Sequence, residues 1–247
     1  MSRTDGPGQM IEVIGLDADD TLWHCEDGFE RAIDEFVDLL LPNAEGFDRE
    51  AVRAALERTE RANLPLLGYG VKAFTIAMVE AAVMLAGERL SPLAVEQVVQ
   101  IGKRLFAEPV ILIEGVSDVV PLLAQDYRLV MVTKGDLLHQ ERKIVDSGLA
   151  AHFDAIEVIS EKDVPTYRRV LRELRIDPAS FVMVGNSVRS DVLPVLALGA
   201  SAVHIPYEIV WSHEIAMHDG SVPELASIRE LPGWLATRRG VGRSAHC

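Results

Sequence analysis

The chain has 247 residues, 49% hydrophobic and 25% charged, enough for one sizeable core or a core with a smaller second unit. Its 24 Lys and Arg face 38 Asp and Glu, a formal net charge of −14 with no basic stripe, which argues against nucleic acid or an anionic membrane as partner. The polar start MSRTDGPGQM lacks a secretory apolar stretch, no window of about 20 residues is apolar enough to span a bilayer, and two cysteines, Cys25 and Cys247, make no disulfide framework, so a cytoplasmic protein is expected.

Taken in chain order, the first apolar run is Ile11–Leu16 (IEVIGL), a short strand pattern that ends in Asp17, Asp19 and Asp20. From Trp23 to Pro109 no strand pattern follows. Helical spacing covers Gly28–Leu41, Asp48–Arg61, Val71–Leu85 and Ser91–Phe106, with Pro42, Pro65, Gly68, Gly70 and the stretch Gly87 to Pro92 as punctuation. Ser91-Pro92 reads as an N-cap followed by proline at the first helical position. LLGYGVKAF (Leu66–Phe74) reads as a glycine-flexed loop between two of these helices.

Beyond the insert, helices and strands alternate. The helical segments are Val116–Leu123, Leu137–Ser147, Thr166–Leu174 and Asp191–Leu198. The apolar runs are Arg128–Val132, Ala155–Ile159, Phe181–Val184 and Ser201–Ile205. Near-continuous apolar strands in that rhythm predict an α/β fold, a Rossmann-like parallel sheet covered on both faces. An all-helical insert is predicted after the first strand. The expected division is a discontinuous core of 1–24 and 108–247 and a helical domain of 25–107. Disorder is expected for the first eight residues and for the tail from Thr237.

A lone aspartate at a strand end is usually a cap or turn residue. Alternation along a strand would place Asp17 and Asp19 on one side, and carboxylates that close repel each other unless something positive is present. Ligands of open α/β sheets bind beyond the carboxyl ends of the strands. The other strand ends carry Thr133-Lys134-Gly135, then Ser160-Glu161-Lys162, then Gly185-Asn186-Ser187 with Asp191 five residues past Asn186. A hydroxyl, a cation and further oxygen donors converge on one rim. Oxygen ligands with few carboxylates suit Mg²⁺, which shares its shell with substrate phosphate and water.

These residues resemble the haloacid dehalogenase superfamily of phosphohydrolases. The DxDxT motif stands as Asp17-Ala18-Asp19-Asp20-Thr21, the strand-end hydroxyl as Thr133 and the lysine before a helix as Lys162. The acidic GDxxxD-like element stands as Gly185-Asn186-Ser187-Val188-Arg189-Ser190-Asp191. The four occur in the family's order over about 160 residues of core, and the helical insert sits where the family has a C1 cap. The resemblance implies Asp17 as nucleophile and Asp19 as general acid and base. It implies Thr133 with nearby amides, Lys134 and Gly135 among them, as phosphoryl binders, and Lys162 as the neutralising cation. Mg²⁺ ligands would be Asp17, the Asp19 carbonyl, and Asn186 or Asp191. The cap loop offers Tyr69 and Lys72 as substrate-selecting candidates. The implied substrate is a small phosphorylated metabolite, handled by a monomer or homodimer.

Within such a family the site decides the chemistry. Members that attack carbon, and phosphonatases, lack an acid two residues after the nucleophile, so Asp19 favours phosphate chemistry. A 2-haloacid dehalogenase, a phosphomutase and a catalytically weakened phosphate-binding protein stand as alternatives. The last is prompted by Asn186, where the family usually has Asp. Asp136 reads as a helix cap, Trp23 as a residue that could pack over the site entrance, and His24 and Cys25 as spacers. His139, His152 and His204 share no metal-ligand spacing and read as structural.

Overall fold

The computed structural model describes residues 10–209, 211, 214, 216 and 220–239. Strands β1 (Val13–Leu16), β2 (Arg128–Lys134), β3 (Ala155–Ile159), β4 (Phe181–Gly185) and β5 (Ser201–His204) form a parallel sheet in the order β3-β2-β1-β4-β5. β1 is central: Val13–Leu16 stand opposite Arg128–Met131 on one side and Phe181–Val184 on the other. β4 continues outward, with Val182–Gly185 opposite Ser201–His204. Every residue of β1 and β4 is buried, as the apolar runs demand of strands covered on both faces. Gly15 has a steric reason in the central strand, because a Cβ there would meet Phe181 and the Met183 sulfur, the latter at 2.8 Å.

The helices are α1 (Glu26–Leu40), α2 (Arg49–Leu67), α3 (Val71–Ala86), α4 (Pro92–Phe106), α5 (Val116–Leu123), α6 (Leu137–Asp146), α7 (Val164–Glu173), α8 (Leu193–Leu196) and α9 (Leu231–Arg239). Two compact units result. One comprises Met1–His24, Ile111–Thr133 and Ser147–Cys247 and contains the sheet. The other comprises Cys25–Val110 and Lys134–Asp146, so α6 falls with α1–α4. The helical unit has its own core of Phe36, Val37, Leu40, Val52, Leu56, Phe74, Met78 and Val98, among others. Its starts follow capping chemistry: Asp48 accepts from Ala51 N at 2.8 Å and Ser91 from Ala94 N at 3.1 Å, with Pro92 at the first helical position.

Several boundaries differ from expectation for local reasons. α2 does not stop at Arg61 but runs through Pro65 to Leu67. A proline in the final turn forfeits a single intrahelical bond, and Gly68 then takes a positive φ of 70, which favours glycine, and closes onto Leu64 O at 3.0 Å. The expected loop Leu66–Phe74 therefore shrinks to Gly68–Gly70, its two ends belonging to α2 and α3. The segment expected as a helix from Asp191 begins earlier, as a π turn over Val188–Val192 that leads into α8. α7 begins at Val164 because Asp163 caps it, accepting from Thr166 N at 2.8 Å. Thr237 to residue 239 are helical, not disordered: buried Leu231 and Leu235 anchor α9, and Thr237 Oγ1 donates to Trp234 O at 2.7 Å. The remaining residues of the expected disordered ends, 1–8 and 240–247, lie outside the described residues.

Candidate active site

β1 stops at Leu16, so strand alternation does not place Asp17 and Asp19; a tight turn does. Asp17 N–H still bonds Val184 O at 2.9 Å, tying the residue to the end of β4. The chain then folds back, with Leu22 N–H on Ala18 O at 2.8 Å and Asp20 N–H on Trp23 O at 2.8 Å. Asp20 adopts φ 61 at this turn, a left-handed conformation that aspartate tolerates better than most residues. Trp23 is fully buried, and its Nε1–H donates to Asp19 Oδ1 at 2.6 Å. It therefore holds the acid.

Asp17 is buried at the centre of a charge network. Lys162, 5% exposed, reaches from the loop after β3 and donates to Asp17 Oδ1 and, at 2.6 Å, to Asp191 Oδ1. Asp191 is completely buried, and its Oδ2 accepts from Ser187 N at 3.1 Å. Both Asp191 oxygens thus have partners. Gly185 leaves the space this carboxylate fills, since a Cβ there would collide with it. Burial, with Asp191 adding to it, raises the Asp17 carboxyl from 3.8 to about 7, while Lys162 opposes the rise. The same two carboxylates outweigh burial at Lys162 and push its ammonium well above 10.5.

The second oxygen of Asp17 faces another group. Thr21 Oγ1 donates to Asp17 Oδ2 at 3.1 Å and lies 3.5 Å from Asn186 Oδ1. One hydroxyl thus lies near both a carboxylate oxygen and an amide oxygen. Asn186 is fixed through its backbone, because His204 Nε2 on β5 bonds its carbonyl at 3.0 Å while Nδ1 meets Glu224 at 3.1 Å. Thr133 is buried at the end of β2, two residues past Met131, the register partner of Leu16. Tyr167 on α7 is fully buried, and among the described residues its hydroxyl has no partner within hydrogen-bond geometry, although Asp191 stands near enough to act on it. Burial first, then Asp191 and Asp17 against Lys162, hold this phenol well above 10.

The structure thus brings Asp17, Asp191 and Lys162 into direct contact, with Asn186 joined through Thr21 and Asp19 close enough to add to the upward shift of Asp17. The other expected residues gather within the helical unit. Lys134 Nζ lies 4.1 Å from the centroid of the Tyr69 ring, and Lys72 pairs with Asp136 at 3.0 Å. Asp136 also caps α6, accepting from His139 N at 3.0 Å. Burial works against the ionised form of Asp136, but the Lys72 bond and this amide outweigh it and lower its pKa. Gly135 (φ 142) packs against Gln140, whose amide donates to Lys134 O at 2.8 Å.

Several contacts of the site were not read from sequence. Thr21, named only as the end of the motif, and Trp23, named only for the entrance, each stand four residues past the aspartate they bond, a spacing that a turn could have suggested. His204 lies on β5 and touches Asn186 only through the fold. Ser187 and Ser190 were visible only as filler between Asn186 and Asp191.

Residues 11–199 match the family model described as a haloacid dehalogenase-like hydrolase. A haloacid dehalogenase-like family hydrolase of Xanthomonas campestris is 38% identical, with 97% of each chain covered and a TM-score of 0.83. A glyceraldehyde 3-phosphate phosphatase of Methanothermobacter thermautotrophicus is 30% identical over 98 residues, covering 38% of this chain and 43% of that protein. The human N-acylneuraminate-9-phosphatase is 28% identical over 134 residues, 50% of this chain and 52% of that one. The chain thus spans about half the length of the curated relatives it matches. A 2-haloacid dehalogenase of Pseudomonas syringae shares the fold at 20% identity, with 92% and 99% of the two chains covered and a TM-score of 0.63.

Proposed function

The chain belongs to the haloacid dehalogenase-like hydrolase family, and on that premise we propose that it is a Mg²⁺-dependent phosphatase of a small phosphorylated metabolite, working through an aspartyl-phosphate on Asp17. The observation that carries this reading is Asp19. A second carboxyl group two residues past the nucleophile, gripped by Trp23, supplies the proton donor that departure of an alkoxide from phosphorus requires. The two curated relatives named for phosphatases of a triose phosphate and of a sugar-acid phosphate support the substrate class.

The residues fit a magnesium ion. Among the described residues no group of three or more His, Cys, Asp or Glu side chains could hold a metal, and Mg²⁺ does not need one: one or two carboxylates, neutral oxygens, water and substrate phosphate suffice. Asp17 Oδ2 and Asn186 Oδ1, both near Thr21 Oγ1, would hold the ion together with the Asp19 carbonyl. Asp191 anchors Lys162 through one oxygen and accepts from Ser187 N with the other, and we assign the metal contact of this turn to Asn186, whose Oδ1 has only the 3.5 Å approach of Thr21 among the described residues. Two buried carboxylates share one lysine, and burial first, then the neighbouring Asp191, raise the Asp17 carboxyl against the pull of Lys162. When bound, the cation would offset negative charge on the nucleophile and the phosphoryl group.

In the proposed reaction Asp17 attacks phosphorus as the bond to the leaving oxygen breaks, and Asp19 gives that oxygen its proton. Asp19, now a carboxylate, then takes a proton from water as the water attacks the acyl-phosphate, releasing phosphate and restoring Asp17. Thr133 and the amides after it hold phosphoryl oxygens, and Lys162 keeps Asp17 oriented and offsets its charge. By the family resemblance the helical unit is a cap, and we assign it substrate selection. Tyr69, Lys72, Lys134 and Gly135 are the residues we assign to selection, in a cytoplasmic protein. Among the described residues no helix is long and apolar enough to cross a membrane.

A panel of phosphate monoesters with 2-haloacids included, assayed with Mg²⁺ and with chelator, tests this reading. Hydrolysis of at least one phosphate ester that vanishes in chelator is expected. Haloacid turnover that persists in chelator, with no phosphatase activity, would replace it.

A further inference from the structure

The carboxylate of Glu214 lies on the turn that carries Asn186 and Asp191. Glu214 Oε2 accepts from Ser187 Oγ at 2.5 Å and from Ser190 Oγ at 2.5 Å. Both serines are buried, and Ser187 Oγ also accepts from Ser190 N at 3.0 Å. One carboxylate oxygen thus closes a ring over the first residues of the π turn, and single π turns recur at functional sites. The ring continues into the charge network. Ser187 N–H holds Asp191 Oδ2, Asp191 Oδ1 holds Lys162, and Lys162 holds Asp17. Asn186 immediately precedes Ser187, so its amide oxygen is aimed by the same turn. The Glu214 backbone N–H bonds Trp211 O at 2.8 Å.

We infer that Glu214 is a positioning residue for the metal-binding turn: it ties down Ser187 and Ser190 so that Asn186 and Asp191 keep the orientations that Mg²⁺ binding and catalysis need. It touches neither Asp17 nor Lys162 in the hydrogen-bond network and acts through the two serines. The inference rests on the phosphatase reading above and adds a residue far along the chain from the four motifs. It also bears on Asn186. The amide brings no charge to the metal, and Glu214 returns one negative charge to the same turn through two hydroxyl donors. Partners of this kind orient ligands and tune the ion they surround.

Three readouts test it on the full chain: Mg²⁺ titration by calorimetry without substrate, hydrogen exchange of the peptide spanning 185–192, and kcat and KM for a generic aryl phosphate. Glu214→Ala should speed exchange across the turn, raise the Mg²⁺ dissociation constant about tenfold, and lower kcat more than it changes KM. Glu214→Gln keeps an acceptor oxygen and should recover much of the exchange protection. In a Ser187→Ala/Ser190→Ala background, Glu214→Ala should add little further loss, since the bonds it removes are already gone. Unchanged exchange in Glu214→Ala overturns the inference whatever the activity. Faster exchange with wild-type Mg²⁺ affinity and kcat also overturns it, because the role would then be structural only. If the wild type binds no Mg²⁺ and turns over no phosphate ester, the phosphatase reading fails and the functional role of Glu214 with it, while exchange still decides whether Glu214 holds the turn.

Discussion

Trp23 Nε1 donates to Asp19 Oδ1 at 2.6 Å, so the indole of a fully buried tryptophan holds the carboxyl group assigned to proton transfer. The relationship fixes which way Asp19 presents itself after the turn at Asp20. Trp23→Phe keeps most of the packing and removes the donor. A fall in kcat of about tenfold with little change in KM is expected, because orientation of an acid matters in the transition state and not in binding. Steady-state kinetics on any accepted phosphate ester measure it. An unchanged kcat would mean that Asp19 needs no help from the indole.

Asn186 and Asp191 separate by their bonding. Asp191 spends one oxygen on Lys162 and one on Ser187 N, while Asn186 Oδ1 receives only a long contact from Thr21 among the described residues. Asn186→Ala should therefore weaken Mg²⁺ binding more than Asp191→Asn does. Asn186→Asp should tighten it by about tenfold or less, since added attraction is offset by repulsion from Asp17. Calorimetric titration of the three variants distinguishes the residues. The reverse order would make Asp191 the ligand.

Tyr167 gives a stability prediction that runs against its burial. Among the described residues its buried hydroxyl has no partner within hydrogen-bond geometry, although Asp191 stands near enough to act on it, and a buried group left so costs about 1–3 kcal/mol. Tyr167→Phe keeps the ring in the core and removes the unsatisfied group. Equal or greater stability is expected in denaturant unfolding, and a loss of more than about 1 kcal/mol would show that the hydroxyl is satisfied in solution.

Glu60 on α2 gives a pH dependence away from the site. Burial, helped by Glu57 and opposed by Arg61, raises its carboxyl from 4.5 to about 7. A carboxyl that ionises more readily in the unfolded chain destabilises the fold as pH rises from about 4.5 through about 7, because over that window the native state binds more protons. Glu60→Gln removes the penalty. The variant should match the wild type near pH 4 and exceed it by about 1–3 kcal/mol at pH 8, solvent access keeping the gain below the full shift. Unfolding curves at the two pH values check the sign; equal stability at both would contradict it.

The sheet and the family were legible because each rests on local pattern. Five apolar runs identify the strands, four of them ending in polar residue types with a chemical use, and Lys162 does bond both Asp17 and Asp191. What escaped depends on bonds between distant segments or on turns. Strand alternation suggested that Asp17 and Asp19 share a face, but the strand ends at Leu16 and the turn at Asp20 sets the geometry. Pro65 suggested a helix end, yet Gly68 three residues later sets it. Nothing in the sequence ties Glu224 to His204, or Glu214 to Ser187 and Ser190, since those pairs form only once β5 and the segment after it are in place.

The covalent role of Asp17 can be tested without knowledge of the natural substrate. The enzyme is mixed with an accepted phosphate ester and Mg²⁺, quenched in acid during turnover and reduced with borohydride, which converts an acyl-phosphate to an alcohol. Peptide mass spectrometry then locates the reduced side chain. Reduction confined to Asp17, dependent on both substrate and Mg²⁺ and absent from Asp17→Asn, is expected, together with a loss of turnover in that variant of at least about a thousandfold. Sustained hydrolysis by Asp17→Asn, or an acyl-phosphate found on Asp19 instead, would contradict the assignment of Asp17 as the nucleophile.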